Sequence, residues 1–404
     1  MATDIDGQPD DEPDGKRAAS GGDTRRHADA VEFFRRALER DPYNLDTLKS
    51  YSELLKECQR WDEAERMARL ACQYSPDNTR LRFHLGLLLL LRGNFAEGFC
   101  AYEQRWDEAL SHLRPAFTQP RWRGEPLAGC TLLLWGEQGA GDQLLGSRYV
   151  PLLAERVHRE GGRLVWNTFH GTAGLLERSF HGHYDGFCVG GPVENLPQHD
   201  LQVALLSLPF LFDTREDSIP GPARYLSSDP SAVAHWRQRV AGETRLKVGL
   251  AWKGNPENTR NTLRSIDLMA CARHFASLVG EVAFYSLQPN ADDEIAAARA
   301  AGFDMTDYSA AWKTFDDTAA FIDALDLVIT VCTSIAHLAG ALGQRTWVLL
   351  DACPYWVWQL ERRDSPWYLG AMLYRQKSIQ QWDSVLNEVT VDLTALVRQS
   401  MQSM

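Results

Sequence analysis

Thr131-Leu-Leu-Leu-Trp-Gly-Glu-Gln-Gly-Ala-Gly-Asp142 decides the reading of this chain. A short apolar strand breaks through glycines into a helix and leaves a carboxylate, Asp142, at the turn. Roughly 190 residues further on, Leu327-Val-Ile-Thr-Val-Cys-Thr-Ser-Ile-Ala-His337 makes a second strand-to-helix junction, with hydroxyls and a histidine in the equivalent place. Between and around them, short apolar runs alternate with amphipathic segments, the texture of a parallel sheet flanked by helices. The strands read as Thr131–Trp135, Arg163–Trp166, Gly186–Val189 and Leu201–Ala204 in a first half, and Lys247–Trp252, Val282–Leu287, Leu327–Val331 and Thr346–Leu350 in a second. Pro209 to Pro222, rich in prolines and acids, reads as the crossover. The spacing therefore predicts two facing nucleotide-fold domains, 131–235 and 236–390, with 391–404 as a C-terminal helix or tail. Ligands of open α/β sheets bind at the carboxyl ends of strands, and both junctions follow a strand.

Composition narrows the class. The 404 residues carry a formal charge of −12, which argues against nucleic-acid or anionic-membrane partners. Eight cysteines with no Cys-x-x-Cys fit reduced thiols in a cytoplasmic protein. No basic segment followed by an apolar one marks a signal peptide, and the apolar run Leu85–Leu91 is too short to span a bilayer. Residues 1–26, acidic and without aromatics, read as a disordered tail.

From His27 a helical pattern repeats every 34 residues. Ala30 recurs as Ala64 and Gly98, Phe34 as Ala68 and Tyr102, Ala37 as Ala71, Pro42 as Pro76, Tyr51 as Leu85 and Ser52 as Gly86. Small residues at one register let antiparallel helices approach closely, and the prolines end the second helix of each pair. Residues 27–110 thus resemble tetratricopeptide repeats, with the first lacking its leading helix. Such an array offers a groove for a protein or peptide acceptor, or a surface for a homo-oligomer; the residues do not choose. Residues 111–130, with Trp122 and several prolines, read as an ordered linker packed on the first nucleotide-fold domain.

Trp122-Arg-Gly-Glu-Pro-Leu-Ala-Gly129, Glu137 to Asp142, Trp252-Lys-Gly-Asn-Pro256 with Arg264-Ser-Ile266, and Thr333 to Gly343 together resemble bacterial tetratricopeptide-repeat glycosyltransferases. These are related to the family 9 heptosyltransferases, of GT-B fold, and distantly to O-linked N-acetylglucosamine transferases. The resemblance implies an α/β GT-B pair preceded by the all-α segment. It also implies inverting, metal-independent transfer from a nucleotide-sugar donor to a hydroxyl, with no cofactor.

Inversion needs a carboxylate to take the acceptor hydroxyl's proton. Asp142 is the candidate base, because a helix N-terminus favours its anion and the relatives place their proposed base in the matching Gly-Asp. The alternative is that Asp142 only caps its helix. Gly139 and Gly141 would let backbone approach ligand, and Glu137 and Gln138 complete the acceptor-side loop, Glu137 being the runner-up base. The donor diphosphate would lie on Thr333, Ser334 and His337, with Lys253, Asn255 and Arg264 from the second segment and Gln288 at the base or ribose. The one Asp-x-Asp pair that could recruit a metal, Asp4-Ile-Asp6, falls in the tail. Asp316–Thr318 reads as a helix cap, and Trp356 and Trp358 as packing residues near the cleft.

Two departures stand out from the family pattern. Cys332 occupies the place of an aspartate before Thr-Ser, and Asn261-Thr262 that of an Asp-Arg pair. They leave a second reading open: a catalytically silent binding or scaffold protein.

Overall fold

The computed structural model describes residues 22–107 and 115–402. Asp4-Ile-Asp6 and the rest of the first 21 residues lie outside the described part. The first described element is α1 (Gly22–Arg40), so residues 22–26, expected to be disordered, are helical. Then come α2 (Leu45–Glu57), α3 (Trp61–Tyr74), α4 (Thr79–Leu91) and α5 (Phe95–Tyr102). Asn44, Asn78 and Asn94 cap α2, α4 and α5 by accepting from the backbone N–H of the third helical residue.

The 34-residue register corresponds to a physical contact. Ser52 donates its hydroxyl to the Ala64 carbonyl at 2.8 Å, fixing α2 against α3. One period later Gly86 and Gly98 do the same for α4 and α5 by lacking side chains. A Cβ on Gly86 would lie 2.9 Å from the Tyr102 nitrogen, and one on Gly98 would lie 2.8 Å from the Leu90 side chain. Small residues at these positions therefore set the interhelical distance.

Residues 115–130 continue the N-terminal lobe rather than merely linking to it. Trp122 N–H donates to the Gln202 carbonyl, Gln202 N–H donates to Pro120, and the Trp122 ring is fully buried. This lobe is a four-stranded parallel sheet of β1 (Thr131–Trp135), β2 (Arg163–Thr168), β3 (Gly186–Val189) and β4 (Leu201–Ala204), ordered β3-β2-β1-β4. Its helices are α6 (Ala140–Gly146), α7 (Val150–Arg159), α8 (Ala173–Ser179) and α9 (Leu208–Leu211).

The next helix, α10 (Pro230–Arg239), packs on the C-terminal lobe. Its Trp236 meets Tyr308 and Phe321, so the lobe boundary precedes α10 instead of cutting it at 235. That lobe is a six-stranded parallel sheet built from β5 (Leu246–Ala251), β6 (Val282–Ser286), β7 (Met305–Asp307), β8 (Leu327–Val331), β9 (Thr346–Leu350) and β10 (Ala371–Arg375), in the order β10-β9-β8-β5-β6-β7. It is covered by α11 (Asn261–Arg264), α12 (Leu268–Phe275), α13 (Asp292–Ala300), α14 (Phe315–Ile322), α15 (Ser334–Ala341) and α16 (Trp382–Gln402). α16 runs through residue 391 without a break and buries Val385, Leu386, Val389, Leu393 and Val397 against α12, so no separate tail starts there. Strands β7 and β10 lie beyond those read from sequence. The first is only Met-Thr-Asp, and the second lies beyond an irregular, aromatic-rich loop.

One apolar cluster runs through all three parts, from Phe95 and Phe99 of α5 through Leu132 and Leu134 of β1 to Ala336, Trp356 and Trp367, beside separate clusters within α2–α4 and between the C-terminal sheet, α12 and α16. Replacing Gly98 by alanine should destabilise the fold by about 1–3 kcal/mol, because the added methyl meets Leu90 side chain and backbone. Denaturant unfolding reads this directly, and an unmoved midpoint would mean that α4 and α5 do not pack as described.

Candidate active site

The strand β1 ends at Trp135, and after Gly136 and Glu137 the residue Gln138 adopts a left-handed φ of 59° to turn the chain into α6. Asp142 then sits three residues into the helix segment, where its Oδ2 accepts from Gly139 N–H at 3.1 Å. The capping role is therefore real. It occupies one carboxylate oxygen only: Oδ1 accepts from the Tyr355 hydroxyl at 2.8 Å, and Tyr355 belongs to the other lobe. Asp142 keeps a little accessible surface but is closely enclosed by protein. That enclosure pushes its pKa up from 3.8 to about 6, against the two hydrogen bonds that pull it down.

The two junctions meet. A Cβ on Gly141 would stand 2.9 Å from the His337 ring and 3.5 Å from the Ser334 Cα, so only glycine fits where α6 touches the start of α15. Thr333 is the N-cap of α15, its Oγ1 accepting from Ile335 N–H at 3.2 Å. Ser334 is half-buried beside it. Arg264 reaches the same corner and donates to the Cys332 carbonyl at 2.9 Å, while its Nε is buried with no partner among the described residues. Next to this corner, Asp351 follows β9 with Oδ1 also unpartnered among them. Buried polar atoms of this kind call for a hydrogen-bonding partner.

Other expected residues have different employment. Glu137 is 3% exposed and forms a two-pronged pair with the fully buried Arg105, at 2.8 and 2.9 Å. It also accepts from Leu206 N–H, so it is a structural anion and not a spare base. Gln138 donates to the Tyr102 hydroxyl of α5 at 2.6 Å. Lys253 pairs with Glu294, and Gln288 accepts from the Lys253 backbone at 3.0 Å, joining the ends of β5 and β6. Asn255 turns its own loop by accepting from Glu257 N–H and is exposed. His337 is buried among Tyr355, Trp358 and Tyr368, with Nδ1 2.8 Å from the Tyr368 hydroxyl. Burial, helped by Arg148 and Arg264, drops its pKa to about 3, so it stays neutral and offers no charge to a phosphate. Asp317 caps α14 through Thr314 N–H, and Asp316 pairs with Arg178 of α8 across the lobes.

Sequence reading missed Tyr355, Arg148 and Arg105. Arg148, 4% exposed, leaves the N-terminal lobe to lie over Tyr225, Trp367 and Tyr368 and donates to the Trp367 carbonyl at 2.7 Å. Arg105, just after α5, binds Glu103, Glu137 and Ser207 together. No spacing marks such residues. The only local signal for Tyr355 is its place in the aromatic run Pro354-Tyr-Trp-Val-Trp358, whose tryptophans are buried as packing groups.

No family model matches the chain. Protein FlbA of Caulobacter vibrioides is 29% identical over 344 residues, covering 78% of this chain and 55% of that protein; the chain spans about half the length of this curated relative. Among solved structures, the glycosyl transferase family 9 protein from Veillonella parvula aligns with 68% of this chain and 99% of its own, at a TM-score of 0.51 and 8% identity. The E. coli ADP-heptose lps heptosyltransferase II aligns with 67% and 99%, at a TM-score of 0.46 and 12% identity. The two parallel sheets and the family 9 likeness define an α/β GT-B fold preceded by an all-helical segment.

Removing Arg105 (Arg105→Ala) should cost about 3–5 kcal/mol in an unfolding titration, because Glu137 is left buried and unpaired; a cost below about 1 kcal/mol would contradict this view of the pair. Asp142 gives a signed pH dependence. A raised folded pKa means its contribution is complete below 3.8 and is lost as pH rises through about 6. Wild-type stability relative to Asp142→Asn should therefore decline between about pH 4 and 7 and then level. A difference constant over that range would show that the carboxylate is not enclosed.

Proposed function

We propose that the chain is an inverting, metal-independent glycosyltransferase that moves a sugar from a nucleotide-sugar donor to an acceptor hydroxyl. The observation that carries this reading is the contact of Gly141, next to Asp142, with the Ser334 start of α15, beside the corner where Arg264 holds the Cys332 carbonyl, between two GT-B lobes. Asp142 takes the acceptor proton as the acceptor oxygen attacks the anomeric carbon from the face opposite the leaving group. The departing nucleoside diphosphate gains negative charge, which the free N–H groups of α15, the Ser334 hydroxyl and the Arg264 guanidinium stabilise. Asp351 and Arg264 each keep a buried polar atom for the donor. Lys253, already paired with Glu294, contributes less than Arg264. The helical segment, as tetratricopeptide repeats, selects a protein- or glycan-borne acceptor.

A second reading, a GT-B scaffold without turnover, has one observation in its favour. α6 and α15 are in van der Waals contact, Arg148 is buried in the opposite lobe, and so donor entry requires the lobes to part.

Heat protection separates the two. A nucleoside diphosphate among UDP, dTDP, GDP and ADP, supplied at about a hundred times its dissociation constant, should stabilise the fold by about 2.7 kcal/mol. Asp142→Asn should keep that protection and lose sugar transfer by at least about a hundredfold, as expected of a general base. Absence of protection by all four nucleotides would sink the transferase reading and leave the scaffold.

A further inference from the structure

Among the described residues, Tyr355 is the group of the C-terminal lobe that hydrogen-bonds the Asp142 carboxylate, and its mounting is rigid. The residue follows Pro354 and opens a short 3-10 turn, Trp356–Trp358, whose two tryptophans are 3% and 0% exposed. Trp356 stands edge-on to Phe99 of α5 at 5.5 Å, and Trp358 donates its indole N–H to the Cys332 sulfur at 3.1 Å. Arg375 at the end of β10 holds the Trp358 and Gln359 carbonyls at 2.6 and 2.8 Å. The phenol therefore moves with the C-terminal lobe, while Asp142 is anchored to the N-terminal lobe through Gly139.

We propose that Tyr355 is a positioning residue that keeps Asp142 ionised and oriented when the lobes are closed, so that the base is competent only in the closed molecule. This deepens the transferase reading and rests on it for its catalytic meaning. Closure removes water from the carboxylate, which by itself favours the protonated acid. A donated phenol hydrogen replaces the lost water hydrogen bond and favours the anion. Oδ1 and Oδ2 each keep a lone pair, so an acceptor hydroxyl can bind beside the Tyr355 and Gly139 donors without displacing them. When the lobes part, the carboxylate regains water and loses the oriented donor.

Other charged or titratable groups around Asp142 do not substitute for this contact. Glu137, on the same loop, opposes the anion and is held by Arg105. Tyr102 of α5 receives its hydrogen bond from Gln138. His337 is neutral and directed to Tyr368, whose phenol in turn bonds His337 and not the carboxylate. Arg148 is committed to Tyr225 and the Trp367 carbonyl, and Arg264 to the Cys332 carbonyl.

The test is the Asp142 titration midpoint in full-length protein carrying carboxyl-labelled aspartate, with the resonance assigned by its loss in Asp142→Asn. Tyr355→Phe should raise the midpoint by about one pH unit, the size expected for loss of a hydrogen bond to a charged group. Tyr368→Phe, which loosens the same aromatic cluster without touching the carboxylate, should leave it in place. Site-specific 3-fluorotyrosine at position 355, a stronger donor that preserves the packing, should lower it. A midpoint unmoved or lowered in Tyr355→Phe, or one raised equally by Tyr368→Phe, overturns the proposal. Where turnover is measured, the acid limb of kcat/KM shifts upward with Tyr355→Phe while nucleotide affinity stays the same. Absence of turnover in the wild type sinks sugar transfer itself, whereas the titration still decides the role of Tyr355.

Discussion

The approach of α6 to α15 governs the architecture. Gly141 lies against the His337 ring and the Ser334 backbone with no space for a side chain, and everything else at the junction depends on that closeness. It brings the Asp142 carboxylate under Tyr355, lets Arg148 cross into the aromatic cluster of the opposite lobe, and lies within an apolar cluster shared by both lobes and the last helix of the helical segment. A larger residue at 141 would push the lobes apart and expose apolar surface on both sides. Interiors are packed too densely to absorb such a shift locally.

The helical segment takes part in this closure. Phe95 and Phe99 of α5 rest on Trp367 and Trp356, the very loops that carry Tyr355 and the Arg148 cage. Gln59, at the end of α2, donates to the Ala352 carbonyl at 3.2 Å, and Arg105 ties the other side of the segment to Glu137. The helices thus grip one lobe through an ion pair and the other through aromatic contacts.

Much of this was legible in the residues. Strands such as Thr131–Trp135 and Leu327–Val331 announce themselves because each is a short apolar run ending in glycines or hydroxyls, and the structure begins and ends them at those same residues. The 34-residue period falls on positions of close helix approach: Ser52 bonds the Ala64 carbonyl, and Gly86 and Gly98 leave no room for a side chain. What was not legible depends on partners far apart in sequence. Glu137 looked like a spare base because nothing near it in the chain reveals Arg105, and Lys253 looked available because its partner Glu294 lies on α13, far along the chain. Tyr355 carries no spacing signature at all; its meaning comes from the fold bringing β9's loop over α6. Burial likewise turned His337 from a phosphate ligand into a neutral packing group.

The most direct test is a crystal structure of the protein grown with the nucleoside diphosphate that protects it best. The account predicts the diphosphate at the amino end of α15, touching Ser334 and Arg264, with the Asp142 carboxylate one hydroxyl's width from the sugar position. A nucleotide bound elsewhere, or a junction that stays shut around Gly141 with nothing bound, would contradict it.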